Sequence, residues 1–353
     1  MKVAIIGGGF YGCYIAQALI KNFTDNISVE IFEGKKNLLT GAATNNQCRL
    51  HLGFHYPRAK DTIKQTVEGF PLFKEEFSDC VFFPKKNYYA VRKDGHVSFE
   101  EYLSVMDEFK LDYDICDKSK LPYFKNRNLL DGVVRVGEGS IDLQKLEKKL
   151  TGSLQARVYF NSLVKKVNPK EGTLLVNDDL VGTYDFIINT TYTNPNLGLS
   201  PEQFYETKYE LAAMVLLVAP FGEDTALTVM DGNFVSLYPC GSGSATLSSV
   251  SYTPYFQCET LDELLTEVDK SKSEEKKKII SHSIIEHSKE FFNLEDLELK
   301  IQGLWIAPKC KIKNDFGDTR ISDIKVNEKV ISVFCGKLDG VYTIADRVLQ
   351  EII

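Results

Sequence analysis

The stretch KVAIIGGGFYGCYIAQALIKNFTDNISVEIFE, residues 2–33, decides the fold. Lys2 to Ile6 is a short run rich in β-branched residues, which predicts a strand. Gly7, Gly9 and Gly12 follow at G-x-G-x-x-G spacing, with Phe10 and Tyr11 between the second and third glycines. Cys13 to Lys21 then reads as a helix with Ile15, Ala16, Leu19 and Ile20 on one side, and Ile27 to Phe32 as a second strand that ends at Glu33. Glycines alone mark ordinary turns. A preceding strand, a following helix and an acid roughly 20 residues on together identify a dinucleotide-binding turn. Gly7 permits the tight turn, Gly9 lets the backbone approach a pyrophosphate, and Gly12 lets helix and strand pack closely. The helix start, at Phe10 and Tyr11, offers unpaired N–H groups and a positive dipole end to phosphates. Glu33 can accept hydrogen bonds from both ribose hydroxyls and would repel a 2′-phosphate, which disfavours NADP. This unit alone leaves FAD and NAD both open.

The rest of the chain bounds what such a unit can belong to. Its 353 residues suffice for two domains, and 43% hydrophobic against 26% charged residues is ordinary for a chain with a buried core. A net charge of −7 and a pI near 5.5 argue against nucleic acid as the main partner, since phosphate neutralisation needs a basic footprint. No segment approaches the ~18 apolar residues that span a bilayer. The run Val3–Ile6 is too short for a signal peptide, so a cytoplasmic location is expected. Eight cysteines are scattered with no CxxC spacing, so free thiols and no metal site are expected.

Helices are predicted over 58–77, where Ile63, Val67, Phe70 and Phe73 recur at helical spacing, over Phe99–Phe109, and over Leu143–Leu150 behind an Asp142 cap. Strands are predicted at Val81–Phe83, Tyr88–Val91, Val158–Phe160, Leu163–Val167, Asp185–Asn189, 208–219, Phe234–Tyr238, Ala245–Ser251 and Val330–Phe334. The stretch 260–292 reads as a charged helical pair with a solvent-facing Lys/Glu block at 270–278, and a last helix covers about Tyr342–Ile352.

Past Glu33 comes GAATNNQCRLHLGFHYPR, residues 41–58. This run, GEGSIDLQKLEKKL (137–150) and FCGKLDGVYTIADRV (334–348) resemble the D-amino-acid-oxidase-like flavoprotein superfamily. Asn45, Asn46, His51, Leu52, Gly53, His55 and Tyr56 are similar to a run in L-2-hydroxyglutarate dehydrogenases. Gly336-Lys337-Leu338 is similar to the Gly-Lys-Leu of flavin-dependent glycerol-3-phosphate dehydrogenases. The resemblance implies an α/β fold: a Rossmann-like FAD-binding domain with an inserted mixed-sheet substrate domain. Residues 1–80, 137–205 and 301–353 would form the first, and 81–136 with 206–300 the second. It implies FAD as cofactor, held by Gly7, Gly9, Phe10, Tyr11, Gly12 and Glu33, by Thr44, Asn45 and Asn46 in the loop, by Val164 and Thr190, and by Gly336, Lys337, Leu338, Asp339 and Gly340. Two places depart from the family pattern: Thr190-Thr191 stands where Ala-Gly is expected, and Gln47-Cys48-Arg49 replaces small residues beside the flavin.

A flavoenzyme of this kind moves a hydride from a C–H bond to the flavin while the protein orients the donor and takes a proton from its OH or NH. His51 and His55 lie in the flavin-side loop, and imidazole suits proton removal near neutral pH, with an apparent pKa expected near ~6–7. Arg49 and Arg58 flank them, and a guanidinium suits a substrate carboxylate. Tyr56 can hydrogen-bond the donor, and Lys337 can stabilise negative charge on the reduced ring. Against these stand plainer roles: a packed histidine, an aromatic core contact, an arginine closing a loop, a solvated lysine. The expected function is FAD-dependent oxidation of a small anionic donor, a 2-hydroxy acid or an amino acid or amine. The alternatives are a flavin-dependent biosynthetic enzyme acting on a larger conjugate such as a nucleotide-linked sugar, and a dinucleotide-binding module without turnover.

Overall fold

The computed structural model describes residues 1–313 and 319–353. A six-stranded sheet is built from distant parts of the chain: β1 (Lys2–Ile6), β2 (Ser28–Phe32), β9 (Arg157–Tyr159), β13 (Phe186–Asn189), β20 (Asp323–Asn327) and β21 (Val330–Phe334). They lie in the order β20-β21-β13-β1-β2-β9, parallel except for β20 against β21. Strands buried on both faces read as continuous apolar runs, and KVAII and VISVF do so. One face carries α1 (Phe10–Phe23), α2 (Lys60–Glu76), α4 (Leu143–Gly152) and α7 (Val341–Ile352), whose apolar sides meet Val3, Ile5, Ile31 and Ile331. The other face is covered by a three-stranded antiparallel sheet, β10 (Val164–Asn168), β11 (Thr173–Val176) and β12 (Asp179–Val181). There Leu174 and Val176 pack on Ala4, Ile6 and Phe32.

The larger sheet has nine strands. Its ladder runs β18 (Pro254–Cys258), β14 (Thr207–Val218), β17 (Ser244–Ser249), β16 (Val235–Gly241), β15 (Thr225–Met230), β5 (Lys86–Arg92), β7 (Leu130–Val136) and β6 (Tyr113–Ile115), and β19 (Ile301–Ile312) also pairs with β14. Side chains alternate across it, as strand geometry dictates. Ala90 on β5 faces a core with α6 (Glu274–Ser288), while Tyr89 and Val91 face a core with α3 (Phe99–Glu108) and the loop residues Phe54 and Tyr56. On the α6 side α5 (Leu261–Lys270) packs beside β14 and β18. A small sheet, β3 (Arg49–Leu50), β8 (Gly139–Ile141) and β4 (Val81–Phe82), stitches the two larger ones together.

Local signals set most helix starts. Ser98 and Glu101 form a capping box on α3, Thr260 and Glu263 one on α5, and the Asp142 carboxylate accepts from Lys145 N at 3.1 Å to start α4. Residues 301–353 were expected in the dinucleotide-binding unit; within that range β19 runs antiparallel to β14 from Thr207↔Ile312 to Leu217↔Ile301. We place the return to the six-stranded sheet at β20. The structure also adds strands at 130–136, 173–176, 179–181, 225–230, 254–258 and 323–327.

α2 meets the turn before α7 through Gly69: a Cβ there would lie 2.3 Å from Asp339 O, a backbone atom that cannot swing aside. Gly69→Ala is therefore expected to lower stability by about 1–3 kcal/mol, the usual size of overpacking, read as a lower urea midpoint at unchanged slope.

Candidate active site

The glycine turn has two kinds of glycine. At Gly12 a Cβ would stand 2.0 Å from Gly7 O and 2.8 Å from Thr190 Oγ1, so its bareness serves helix–strand packing; Gly7, at φ +101°, serves the turn. At Gly9 and at Gly41 a Cβ would meet nothing within 4 Å. Gly9 is the N-cap of α1, with no side-chain cap and no acid in the first turn, so the helix start is bare where a diphosphate needs it. Glu33 ends β2 beside this turn. Its Oε2 accepts from Gly8 N at 2.7 Å and its Oε1 from Lys35 N at 2.8 Å, which leaves lone pairs on both oxygens for ribose hydroxyls. An open, uncapped helix start with a fixed acid beside it fits FAD.

Several residues expected at the cofactor turn their side chains elsewhere. Phe10 is buried among Phe73, Phe77 and Tyr14, so only its backbone can face a phosphate. The Tyr11 hydroxyl is held by Ser322 Oγ at 2.6 Å and donates to Lys337 O, tying α1 to the turn before α7. Thr44 donates to Leu39 O, Asn45 to Gly41 O, and Asn46 to Ala42 O and Ala43 O, so these three shape their own loop. Val164 packs under the six-stranded sheet. Thr190, in place of the smaller residue the family pattern predicts, donates to Ile6 O and Gly7 O and braces the glycine turn. Leu338 packs against the main core, and Gly340 caps α7, where a Cβ would lie 2.6 Å from Ser322 Oγ. Asp339 is buried, its Oδ2 has no hydrogen-bond partner among the described residues, and burial pushes its pKa up to about 7.

The loop residues converge. His51 Nε2 lies 3.0 Å from Lys337 Nζ and 3.4 Å from the Tyr56 hydroxyl, and the Lys337 ammonium stands 4.8 Å over the Tyr56 ring. Strand β3 points Arg49 inward. Nη1 reaches His55 Nδ1 at 3.1 Å and Tyr89 OH at 2.7 Å; Nη2 donates to Thr228 Oγ1 at 2.9 Å and Ser236 Oγ at 2.6 Å. All four terminal guanidinium protons thus have partners, and the plane sits 4.2 Å over the Tyr238 ring. The expectation that Arg49 grips a substrate carboxylate does not match this enclosure. Arg58 is turned to Asp231.

Donor chemistry fixes both histidine tautomers. Ammonium and guanidinium only donate, so His51 Nε2 and His55 Nδ1 are acceptors, and the ring protons sit on His51 Nδ1 and His55 Nε2. Burial holds the His51 pKa well below the usual histidine value, reinforced by Lys337, Arg49, Arg320 and Lys309; burial and then Arg49 do the same to His55. Both rings are neutral at pH 7. Sequence reasoning missed Glu138, which is wholly buried: its Oε1 accepts from Leu52 N at 2.8 Å, its Oε2 accepts from Tyr89 OH, and Arg49 Nε lies 3.9 Å away. The signal was an acid between two glycines in the quoted segment 137–150. Arg320 and Lys309 were missed as well; they line a crevice with Tyr192, Cys335 and Gly336 beside Lys337.

A bare dinucleotide cradle on the six-stranded sheet, together with a largely buried His–Lys–Arg cluster, is the arrangement of a flavin-dependent oxidoreductase. The chain belongs to the family described as FAD dependent oxidoreductase (DAO), whose profile matches residues 2–251, well over half of its length. It is 27% identical to the FAD-dependent monooxygenase FPY4 of Fusarium mangiferae over 356 residues, which covers 99% of this chain and 91% of that one. It is 28% identical to the FAD-dependent monooxygenase kojA of Aspergillus flavus over 204 residues, 55% of this chain and 46% of that one. Among solved structures it is similar to glycine oxidase from Geobacillus kaustophilus, with TM-score 0.74, 12% identity, and 99% and 93% of the two chains covered. The FAD-bound L-α-glycerophosphate oxidase of Mycoplasma pneumoniae gives TM-score 0.71 at 16% identity, covering 99% and 94%. These structural likenesses show the fold. The protein is an FAD-dependent enzyme. Among the described residues no helix is long and apolar enough to cross a membrane, and no cluster of His, Cys, Asp and Glu could hold a metal ion.

Gly9→Val adds a side chain where the protein itself has room, so the fold should survive while FAD is lost. Flavin content measured beside the melting temperature checks this, and full FAD retention in a folded variant would remove Gly9 from the cradle. The two histidines set a second expectation. Their folded pKa values lie below the unfolded ~6.5, so as pH falls through that value the unfolded chain takes up protons that the folded one refuses. Their stabilising contribution is complete above ~6.5 and is lost below it, at up to about 1.4 kcal/mol per pH unit for each ring. Urea midpoints between pH 7 and 5 should fall, and fall less steeply in His51→Gln/His55→Gln.

Proposed function

We propose that the protein oxidises a small anionic donor, a 2-hydroxy acid or an amino acid or amine carrying an acid group, with Lys337 as anion holder and His51 as proton acceptor. The observation that carries this reading is the 3.0 Å contact between the Lys337 ammonium and the lone pair of a neutral, buried His51. FAD, when bound, supplies the hydride-accepting ring. An anion entering beside Lys337 draws the ammonium to itself, because charge–charge contact in a dry site outweighs an ammonium–imidazole hydrogen bond. That releases His51 Nε2, which then accepts the donor's OH or NH proton while Tyr56 hydrogen-bonds the same group. Arg49 orients His55 and the loop without touching donor. Arg320 and Lys309 line the crevice beside Lys337.

The names of the FPY4 and kojA relatives favour a second reading, in which a reductant other than the oxidised donor charges the flavin for monooxygenation. Anaerobic mixing separates the two: direct bleaching by a hydroxy- or amino-acid donor supports the first, and bleaching by a nicotinamide alone supports the second.

His51→Gln should slow flavin reduction by roughly 10²–10⁴, the usual size of general-base catalysis, with FAD still bound. Lys337→Met should mainly raise the donor concentration needed. The acid limb of the pH profile, placed near ~6–7 from sequence, should lie below the ordinary histidine value, since burial and the cations oppose protonation of His51. Unchanged stopped-flow reduction in flavin-replete His51→Gln would shift the proton acceptor to another group.

A further inference from the structure

We propose that Glu138 is a positioning residue that keeps the His51 proton on Nδ1, so that Nε2 is the basic nitrogen of the site. The inference rests on His51 as the donor's proton acceptor. Glu138 Oε1 lies 3.6 Å from His51 Nδ1, within charge reach though longer than a hydrogen bond, and Nδ1 has no hydrogen-bond partner among the described residues. The other groups facing the ring are the Lys337 ammonium and Tyr56 hydroxyl at Nε2 and the His55 ring at 5.9 Å, with Arg49, Arg320 and Lys309 as further cations. A carboxylate only accepts. With the proton on Nε2, the Nδ1 lone pair would face that oxygen and the N–H would face an ammonium.

While Lys337 holds Nε2, two neighbours agree on the tautomer. Once a donor anion draws Lys337 away, Glu138 is the charged neighbour that keeps the Nε2 lone pair available. Its own place is fixed from three sides: Leu52 N donates to Oε1, Tyr89 OH donates to Oε2, and Asn87 Nδ2 donates to its backbone oxygen at 3.0 Å. A carboxylate so anchored cannot follow a shifting imidazole. The ring must adapt to it.

Ring-¹⁵N NMR of the FAD-loaded enzyme reads the tautomer with no donor present. The chain has five histidines, and His51→Gln identifies the signal. Lys337→Met mimics the displaced ammonium. The expected result is a neutral Nδ1–H ring in the native enzyme and in Lys337→Met, and an Nε2–H ring or a mixture in Lys337→Met/Glu138→Gln. Because Glu138→Gln strips Arg49 of its carboxylate and can abolish folding by that route, the same comparison is made in an Arg49→Met background, where both charges are gone. With a donor that bleaches the flavin, Glu138→Gln should lower the limiting reduction rate roughly tenfold or more at little change in half-saturation, and Glu138→Asp should recover part of it. A His51 ring that stays Nδ1–H in folded Lys337→Met/Glu138→Gln, with or without Arg49→Met, overturns the proposal whatever the donor panel shows. A panel with no bleaching donor overturns the His51 reading and leaves the tautomer result standing.

Discussion

A carboxylate and a guanidinium, Glu138 and Arg49, face each other with no solvent contact on either side chain. Taking such charges out of water costs several kcal/mol per ion unless each lone pair and proton finds a partner. Their partners come from the loop after β3, from β5, and from β15 and β16, so those elements have one arrangement in which the terminal guanidinium protons and both carboxylate oxygens find partners. The gain lies in uniqueness more than in stability. Misplacing the loop by one residue would leave a buried charge bare. The histidines, Tyr56 and the turn at Lys337 inherit their positions from that constraint.

The same cluster explains why much of the site was opaque in the sequence. The β1–α1–β2 unit was legible because all of its determinants lie within 33 residues: glycines, helix periodicity and terminal acid. Asp142 as a cap and the helical pair at 260–292 were legible for the same local reason. Arg49 was not. A charged residue in a polar loop is solvent-facing by default, and the hydroxyls that enclose it, Thr228 and Ser236, lie 179 and 187 residues away on strands whose pairing no local pattern announces. Glu138 was in view but mute, since only the fold brings Arg49, His51 and Tyr89 to it. β19 escaped because Gly303 and Pro308 interrupt its alternation, and its partner β14 is nearly a hundred residues earlier in the chain.

Glycines divide along the same line between structure and ligand. Gly12 and Gly69 are bare because protein backbone fills the space, and Gly9 and Gly41 are bare with space to spare. Identical letters in the sequence thus answer to different demands. Only the surroundings tell which glycine makes room for a helix and which for a guest.

The interleaving of the six-stranded sheet has a consequence for biosynthesis. Its central strand β1 is made before every other strand of that sheet. β13, which lies beside β1, cannot acquire its outer neighbour β21 until residue 334 has been made. At ~5–20 residues per second, β1 waits roughly 15–60 s for a complete sheet. Throughout that interval an apolar strand edge stands open, inviting contact with other nascent chains and calling for chaperone cover. The turn at Gly336–Gly340 arrives later still. A chain cut before residue 336 lacks both that turn and the helix α7 that follows it.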